Sequence, residues 1–119
     1  MSLIAQSRSW SDYPILGPYS LAVTTLTTVA AQVLAADTGR AGVIFHNPGT
    51  KHKRNLPAGN TLSGGAGGIL IYPQEEFILL QGEQTQFNVN CAWIAVTDDN
   101  ADASLTILDF TPNTPDAPQ

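Results

Sequence analysis

Three of the chain's five cationic side chains fall within four positions, Lys51-His52-Lys53-Arg54. They follow Asn47-Pro48-Gly49, a strong turn signal, which puts them on a loop. Concentrated positive charge on a loop suits contact with an acidic protein surface, a glycan or a nucleic acid. The competing reading is a solvated loop tip. One short patch neutralises few phosphates, so nucleic acid is the poorest of these partners. Asp98, Asn100 and Asp102 recur at every second position, with Asp109 in the twelfth place of a calcium-type loop. The glycine that such a loop needs is Ala103 here, and strand-like segments flank it, so a polar hairpin tip fits better. His46 and His52 stand on opposite sides of a turn with no third ligand at a useful spacing, which gives no metal site. Gly64-Gly65-Ala66-Gly67-Gly68 leads into a strand. A phosphate cradle needs a helix N-terminus there, so tight turns are the better reading. Cys91 continues the alternating set Thr85, Phe87, Val89 and reads as a buried, inert thiol. No Ser/His/Asp or Cys/His arrangement stands out, and Glu75 and Glu76 point to opposite faces of a strand start. These residues assign no enzymatic chemistry and no cofactor.

A different kind of chemistry sits at the N-terminus. Trp10, Tyr13 and Tyr19 are interleaved with Pro14 and Pro18. Proline fixes φ and disfavours helix, so the segment is extended, and three aromatic rings cannot build a core alone. They suit an arm laid across a neighbouring subunit, its prolines reducing the entropy lost on docking. Packing on its own domain is the alternative. The candidate partner-binding residues are therefore Trp10, Tyr13, Tyr19, Lys51, Lys53 and Arg54.

The elements that must position these groups follow from composition and periodicity. At 119 residues the chain suits one domain. Hydrophobic residues make up 43% and charged residues 13%, about half the usual charged share. That balance favours an uncharged-polar β protein over disorder. A net charge of -5 argues against general nucleic-acid binding. A single Cys excludes an intramolecular disulfide framework. The longest apolar runs fall well short of a membrane span, and Met1-Ser2-Leu3-Ile4-Ala5-Gln6-Ser7-Arg8 has no apolar h-region, so no signal peptide is expected.

Period-two alternation at 84–91 predicts a strand with one polar face. Further strands are predicted at 42–46, 68–72, 76–80, 92–97 and 104–110, separated by Gly, Asn, Pro and Asp. Residues 20–36 fit either a helical face through Leu26, Val29, Ala30, Val33 and Leu34 or two strands. The β-branched run Val23-Thr24-Thr25-Leu26-Thr27-Thr28-Val29 favours strands at about 20–28 and 31–36. The expectation is an all-β fold, a single compact β-sandwich or jelly roll of about eight short strands over residues 20–110. An extended N-terminal arm (1–19) and a Pro-rich tail (111–119) flank it.

The order of these segments resembles that of small structural proteins of tailed bacteriophage virions. The residues that carry it are Gln32-Val33-Leu34-Ala35-Ala36 followed by Arg40, Gly42-Val43-Ile44-Phe45-His46-Asn47-Pro48, Gly68-Ile69-Leu70-Ile71-Tyr72-Pro73, Ala92-Trp93-Ile94-Ala95-Val96 and Leu105-Thr106-Ile107-Leu108. The resemblance spans about residues 30–109. It implies a β-sandwich without enzymatic activity, a capsid decoration or cement protein on the capsid surface. Its implied partners are the major capsid protein or neighbouring virion subunits, and its implied state is a homotrimer. The chain departs from the pattern at the basic tetrad, where a short aliphatic strand is usual, and at Pro73-Gln74, where Pro-Gly is usual. The rival is a fibre or tail domain that binds a host glycan through surface aromatics, for which Trp10, Tyr13, Tyr72 and Trp93 are the candidates. Neither reading implies a metal, a nucleic acid or a membrane as partner.

Overall fold

A computed structural model describes residues 16–81 and 88–112. Eight strands follow in chain order: β1 Leu16–Thr25, β2 Ala31–Leu34, β3 Gly42–His46, β4 Lys53–Pro57, β5 Ile69–Ile71, β6 Glu76–Leu80, β7 Trp93–Thr97 and β8 Ser104–Pro112. They form two four-stranded antiparallel sheets with strand orders β1-β8-β3-β6 and β2-β7-β4-β5. The sheets pack in a β-sandwich-like arrangement. The inward residues of one sheet, Val43, Phe45, Leu79, Leu105 and Ile107, meet Ile71, Trp93 and Ala95 of the other in one buried cluster. Trp93 is fully buried, with its ring centroid 5.5 Å from that of Phe45 and 5.7 Å from that of Phe77. Tilted aromatic contacts of this kind add to the stabilisation from area burial alone.

The strands at 42–46, 69–71, 76–80, 93–97 and 104–112 lie where apolar runs predict them. Residues 16–36 hold two strands and no helix, as the β-branched run favours. Three expectations need correction. First, residues 53–57 form a strand, not a loop, because their inward positions are the buried Lys53 and Asn55 and their hydrophobic pattern is inverted. Second, the described end of the predicted 84–91 strand is a turn. The Asn88 Oδ1 accepts from Asn90 N at 2.8 Å, and Asn90 Nδ2 donates to the carbonyls of Asp37 and Arg40. Such side-chain amides give the backbone a local alternative to a ladder. Third, β1 begins at Leu16 and β8 runs to Pro112, so residues 16–19 and 111–112 are in the sheet; the rest of the expected arm (1–19) and tail (111–119) lies outside the described residues.

Arg40 locks one end of the sandwich. Its side chain is 1% exposed and reaches three segments. Nε donates to Asp109 Oδ1 at 2.9 Å, Nη1 to the carbonyls of Val89 (2.9 Å) and Cys91 (3.2 Å), and Nη2 to Ala35 O at 2.6 Å. A planar fork with five donors can satisfy four acceptors at once, which a point charge cannot. Cys91 itself is half-buried, and its thiol donates to Asn88 O at 3.1 Å.

Candidate functional site

Strand β1 places its larger side chains on the side opposite to the core. Ser20, Ala22 and Thr24 pair with Asp109, Ile107 and Leu105, of which Ile107 and Leu105 belong to the inter-sheet cluster. Tyr19, Leu21 and Val23 instead pair with Phe110, Leu108 and Thr106. Side chains directly opposite in an antiparallel ladder share a face, so the register continues these rows across the sheet. One row runs Tyr19, Phe110, Gly42, Leu80; the next runs Leu21, Leu108, Ile44, Ile78. A third runs Val23, Thr106, His46, Glu76 and carries a polar pair, His46 Nδ1 lying 2.9 Å from Glu76 Oε2. The outer face of this sheet is thus an apolar band with its own cluster of Ala41, Ile44, Leu80 and Phe110. Its centre is buried, whereas Tyr19, Leu21 and Val23 are 58%, 58% and 64% exposed along the edge strand. Adjacent large apolar side chains left open on an edge strand mark an interaction surface or an aggregation hazard.

The second candidate is the end of the sandwich where the segments at 26–30, 47–52, 63–68, 72–75 and 98–103 meet. Here the basic tetrad differs from its sequence reading. Lys53 is fully buried, and its Nζ lies 3.0 Å from Asp102 Oδ1 and 3.0 Å from Asn47 Oδ1. The other Asp102 oxygen accepts from the backbone amides of Thr50 (2.6 Å) and Lys51 (2.7 Å). Hydrogen bonding from Lys53, reinforced by those amides against the cost of burial, lowers the Asp102 pKa from 3.8 to about 2. Arg54 forms a two-pronged pair with Asp98, Nε to Oδ1 at 2.7 Å and Nη2 to Oδ2 at 3.0 Å. That hydrogen bond raises the Arg54 pKa and lowers that of Asp98. Gly65 N and Gly67 O join the same network, so the glycine-rich segment serves as a brace.

The cations expected to face a partner therefore separate. Lys53 and Arg54 are bound within the chain, and the buried Lys53 offers no charge to a partner. Lys51 is exposed and has no ion-pair partner among the described residues. The calcium-like trio is committed to other contacts as well, with Asn100 Oδ1 accepting from Thr28 N at 3.0 Å. No three His, Cys, Asp or Glu side chains among the described residues are placed to hold a metal ion. Tyr19 is on the open apolar edge, while Trp10 and Tyr13 lie outside the described residues. Trp93 is a core residue and is unsuited to glycan contact. Tyr72 is half-exposed, with its ring edge-on to His52 at 4.9 Å.

Sequence reasoning missed Leu21 and Val23 as surface residues. The available signal was the alternation of large apolar with small or polar residues in Tyr19-Ser20-Leu21-Ala22-Val23-Thr24, which predicts one apolar face without saying which way it turns. Comparison with family models, curated proteins and solved structures returns no match.

Proposed function

We propose that the chain is a non-enzymatic virion structural protein, a capsid decoration or cement protein. It bridges capsid subunits at the capsid surface as a homo-oligomer, with a trimer favoured. The strand orders β1-β8-β3-β6 and β2-β7-β4-β5 support a jelly roll, an architecture used by viral capsid and lectin domains. The observation that carries the reading is the outward turn of Tyr19, Leu21 and Val23 on an edge strand. A chain that acts alone gains nothing from this arrangement, whereas an assembly protein buries it against neighbours. The braced loop end fits a mechanical role, because its ionic groups act on each other and hold five segments in register.

A specific observation favours a second reading, glycan binding by a fibre or tail domain. Tyr72 presents a half-open ring against His52, and a ring next to a polar group suits a sugar face. Co-sedimentation separates the two readings. The purified chain is mixed with capsids assembled from the major capsid protein of its source virus. Saturable binding and a raised capsid melting temperature are expected. Absence of binding, together with retention on a glycan array that is lost in Tyr72→Ala, supports the rival and overturns the first reading.

A further inference from the structure

We propose that the folded chain joins the side chains of Lys53 and Asn47 in an amide bond, with Asp102 carrying the protons. Lys53 and Asn47 are both fully buried. Lys53 Nζ lies 3.0 Å from Asn47 Oδ1 and 3.0 Å from Asp102 Oδ1, with the Lys51 carbonyl at 3.5 Å. The carbon to be attacked, Asn47 Cγ, is one C=O bond of about 1.2 Å from Oδ1, so it lies within about 4.2 Å of Nζ.

An ion pair alone needs no asparagine, and this asparagine is held as an electrophile. Asn47 N donates to Glu75 O at 3.0 Å, and Gln74 N donates to Asn47 O at 2.8 Å, which fixes its backbone on both sides. Its Nδ2 donates to the carbonyls of Lys51 (2.7 Å) and Ile71 (2.9 Å). Its Oδ1 accepts from Gly49 N at 3.0 Å as well as from Lys53. All four sites of the amide are filled, and carbonyls at one end with donors at the other fix which end is oxygen. The Gly49 N–H polarises the carbonyl and is placed to hold the negative charge that develops on Oδ1 when a nucleophile adds.

The step balances without an outside reagent. Lysine attacks only as the neutral amine, so one ammonium proton first crosses the hydrogen bond to Asp102. The Nζ lone pair then forms a bond to Cγ, and the carbonyl π pair moves to Oδ1. Asp102 delivers its proton to Nδ2 and takes a second one from Nζ. The Oδ1 pair returns, the Cγ–Nδ2 bond breaks and ammonia leaves, carrying off that second proton as ammonium. Burial keeps competing water away from the carbonyl. The reaction occurs once per chain, so a slow rate suffices, and until the bond forms Lys53 and Asp102 remain an ion pair.

The product ties the two sheets together. Asn47 directly follows β3 in one sheet, and Lys53 is the first residue of β4 in the other. Such a link suits a mechanical role but does not depend on it, because the step is internal to one chain.

Mass spectrometry of the denatured full-length chain, after incubation at neutral pH, tests the proposal. The expected mass is one ammonia below that of the sequence. Trypsin cuts after Arg40, Lys51 and Arg54, so it should release a branched peptide in which residues 41–51 and 52–54 stay joined through Asn47 and Lys53. Asn47→Ala lacks the electrophile and should keep its full sequence mass. Asp102→Asn, shown by far-UV circular dichroism to be folded, should link roughly a hundredfold more slowly. A parent chain that keeps its full mass overturns the proposal, whether or not the variants fold. Loss of ammonia that maps to a succinimide, with no branched peptide, overturns it as well. Linkage of Asp102→Asn at the parental rate overturns the part assigned to the carboxylate.

Discussion

Lys53 Nζ and Asp102 Oδ1 meet at 3.0 Å, joining the first residue of β4 to the turn before β8. The lysine is fully buried and the carboxylate is 19% exposed, so the charge inside the sandwich has its counter-charge at the rim. Gly49 belongs to the same contact, since a Cβ there would collide with the Asp102 carboxylate.

The first prediction is an acid-labile step in stability. The Asp102 pKa falls from 3.8 to about 2 on folding. A depressed carboxylate stabilises the fold fully above its unfolded value, and that stability is lost as pH drops from about 4 through about 2. Its size is about 1–2 kcal/mol once screening at the partly open rim is allowed for. Urea midpoints measured between pH 7 and pH 2 should show this loss in the parent. Asp102→Asn should flatten that part of the profile while lowering the midpoint at pH 7. An unchanged slope in the variant would mean that other carboxylates carry the acid sensitivity.

The second prediction separates two neighbouring lysines. Lys51 is exposed and contributes to the brace through its backbone, whereas Lys53 uses its ammonium. Lys51→Ala should therefore change stability by less than about 0.5 kcal/mol. Lys53→Ala, which leaves Asp102 and Asn47 without their partner, should cost about 3 kcal/mol. Equal losses in the two thermal melts would refute the division.

This division shows where sequence patterning succeeds. Apolar runs predict β3, β6, β7 and β8 because their inward residues are aliphatic or aromatic. Strand β4 escapes the same reasoning. Its inward residues Lys53 and Asn55 are polar, and only the later-sequence partner Asp102 makes a buried lysine tolerable. The basic tetrad consequently reads as a loop patch, although two of its cations are spent on Asp98 and Asp102, more than forty positions away. On β1 the alternation is visible but its direction is not, because the register with β8 alone decides which face meets the core.

The third prediction concerns Gln74, the described non-glycine residue with positive φ, at 66°. It occupies the third position of the turn Tyr72-Pro73-Gln74-Glu75, closed by Glu75 N donating to Tyr72 O at 3.0 Å. Glycine is usual there. The glutamine side chain offsets the backbone cost by donating to the carbonyls of Pro48 (2.7 Å) and Gly49 (2.9 Å). Gln74→Ala keeps the strain and loses both bonds, with an expected loss of about 1–2 kcal/mol. Gln74→Gly relieves the strain while losing the same bonds, so it should lie nearer the parent. A glycine variant less stable than the alanine variant in chemical denaturation would contradict this account.

The fourth prediction concerns Asn55, buried at the centre of β4 with neither side-chain nitrogen nor oxygen hydrogen-bonded among the described residues. An unsatisfied buried amide costs about 1–3 kcal/mol. Asn55→Leu, a substitution of similar size, should raise the thermal midpoint. A fall in the midpoint would indicate that the amide is satisfied in solution.

The last prediction returns to Arg40. Its guanidinium is the only group that touches Ala35, Val89, Cys91 and Asp109 together among the described residues. Arg40→Lys keeps the charge and much of the hydrophobic stem. It offers three donors from a single point, however, so at least one of the carbonyls of Ala35, Val89 and Cys91 must lose its partner. Each buried acceptor left unsatisfied costs about 1–3 kcal/mol, and the total expected loss is about 2–3 kcal/mol. The loss should also be local. Ala35 precedes the turn at 37–40, Val89 and Cys91 flank the turn before β7, and without the fork these two segments separate first. Hydrogen exchange followed by mass spectrometry should show faster exchange in peptides covering 35–41 and 88–92. Peptides from the loop end braced by Lys53 and Asp102 should keep parental rates. Uniform acceleration over the whole chain would mean that Arg40 supports global stability without anchoring these two segments, and a variant as protected as the parent would show that the charge alone suffices.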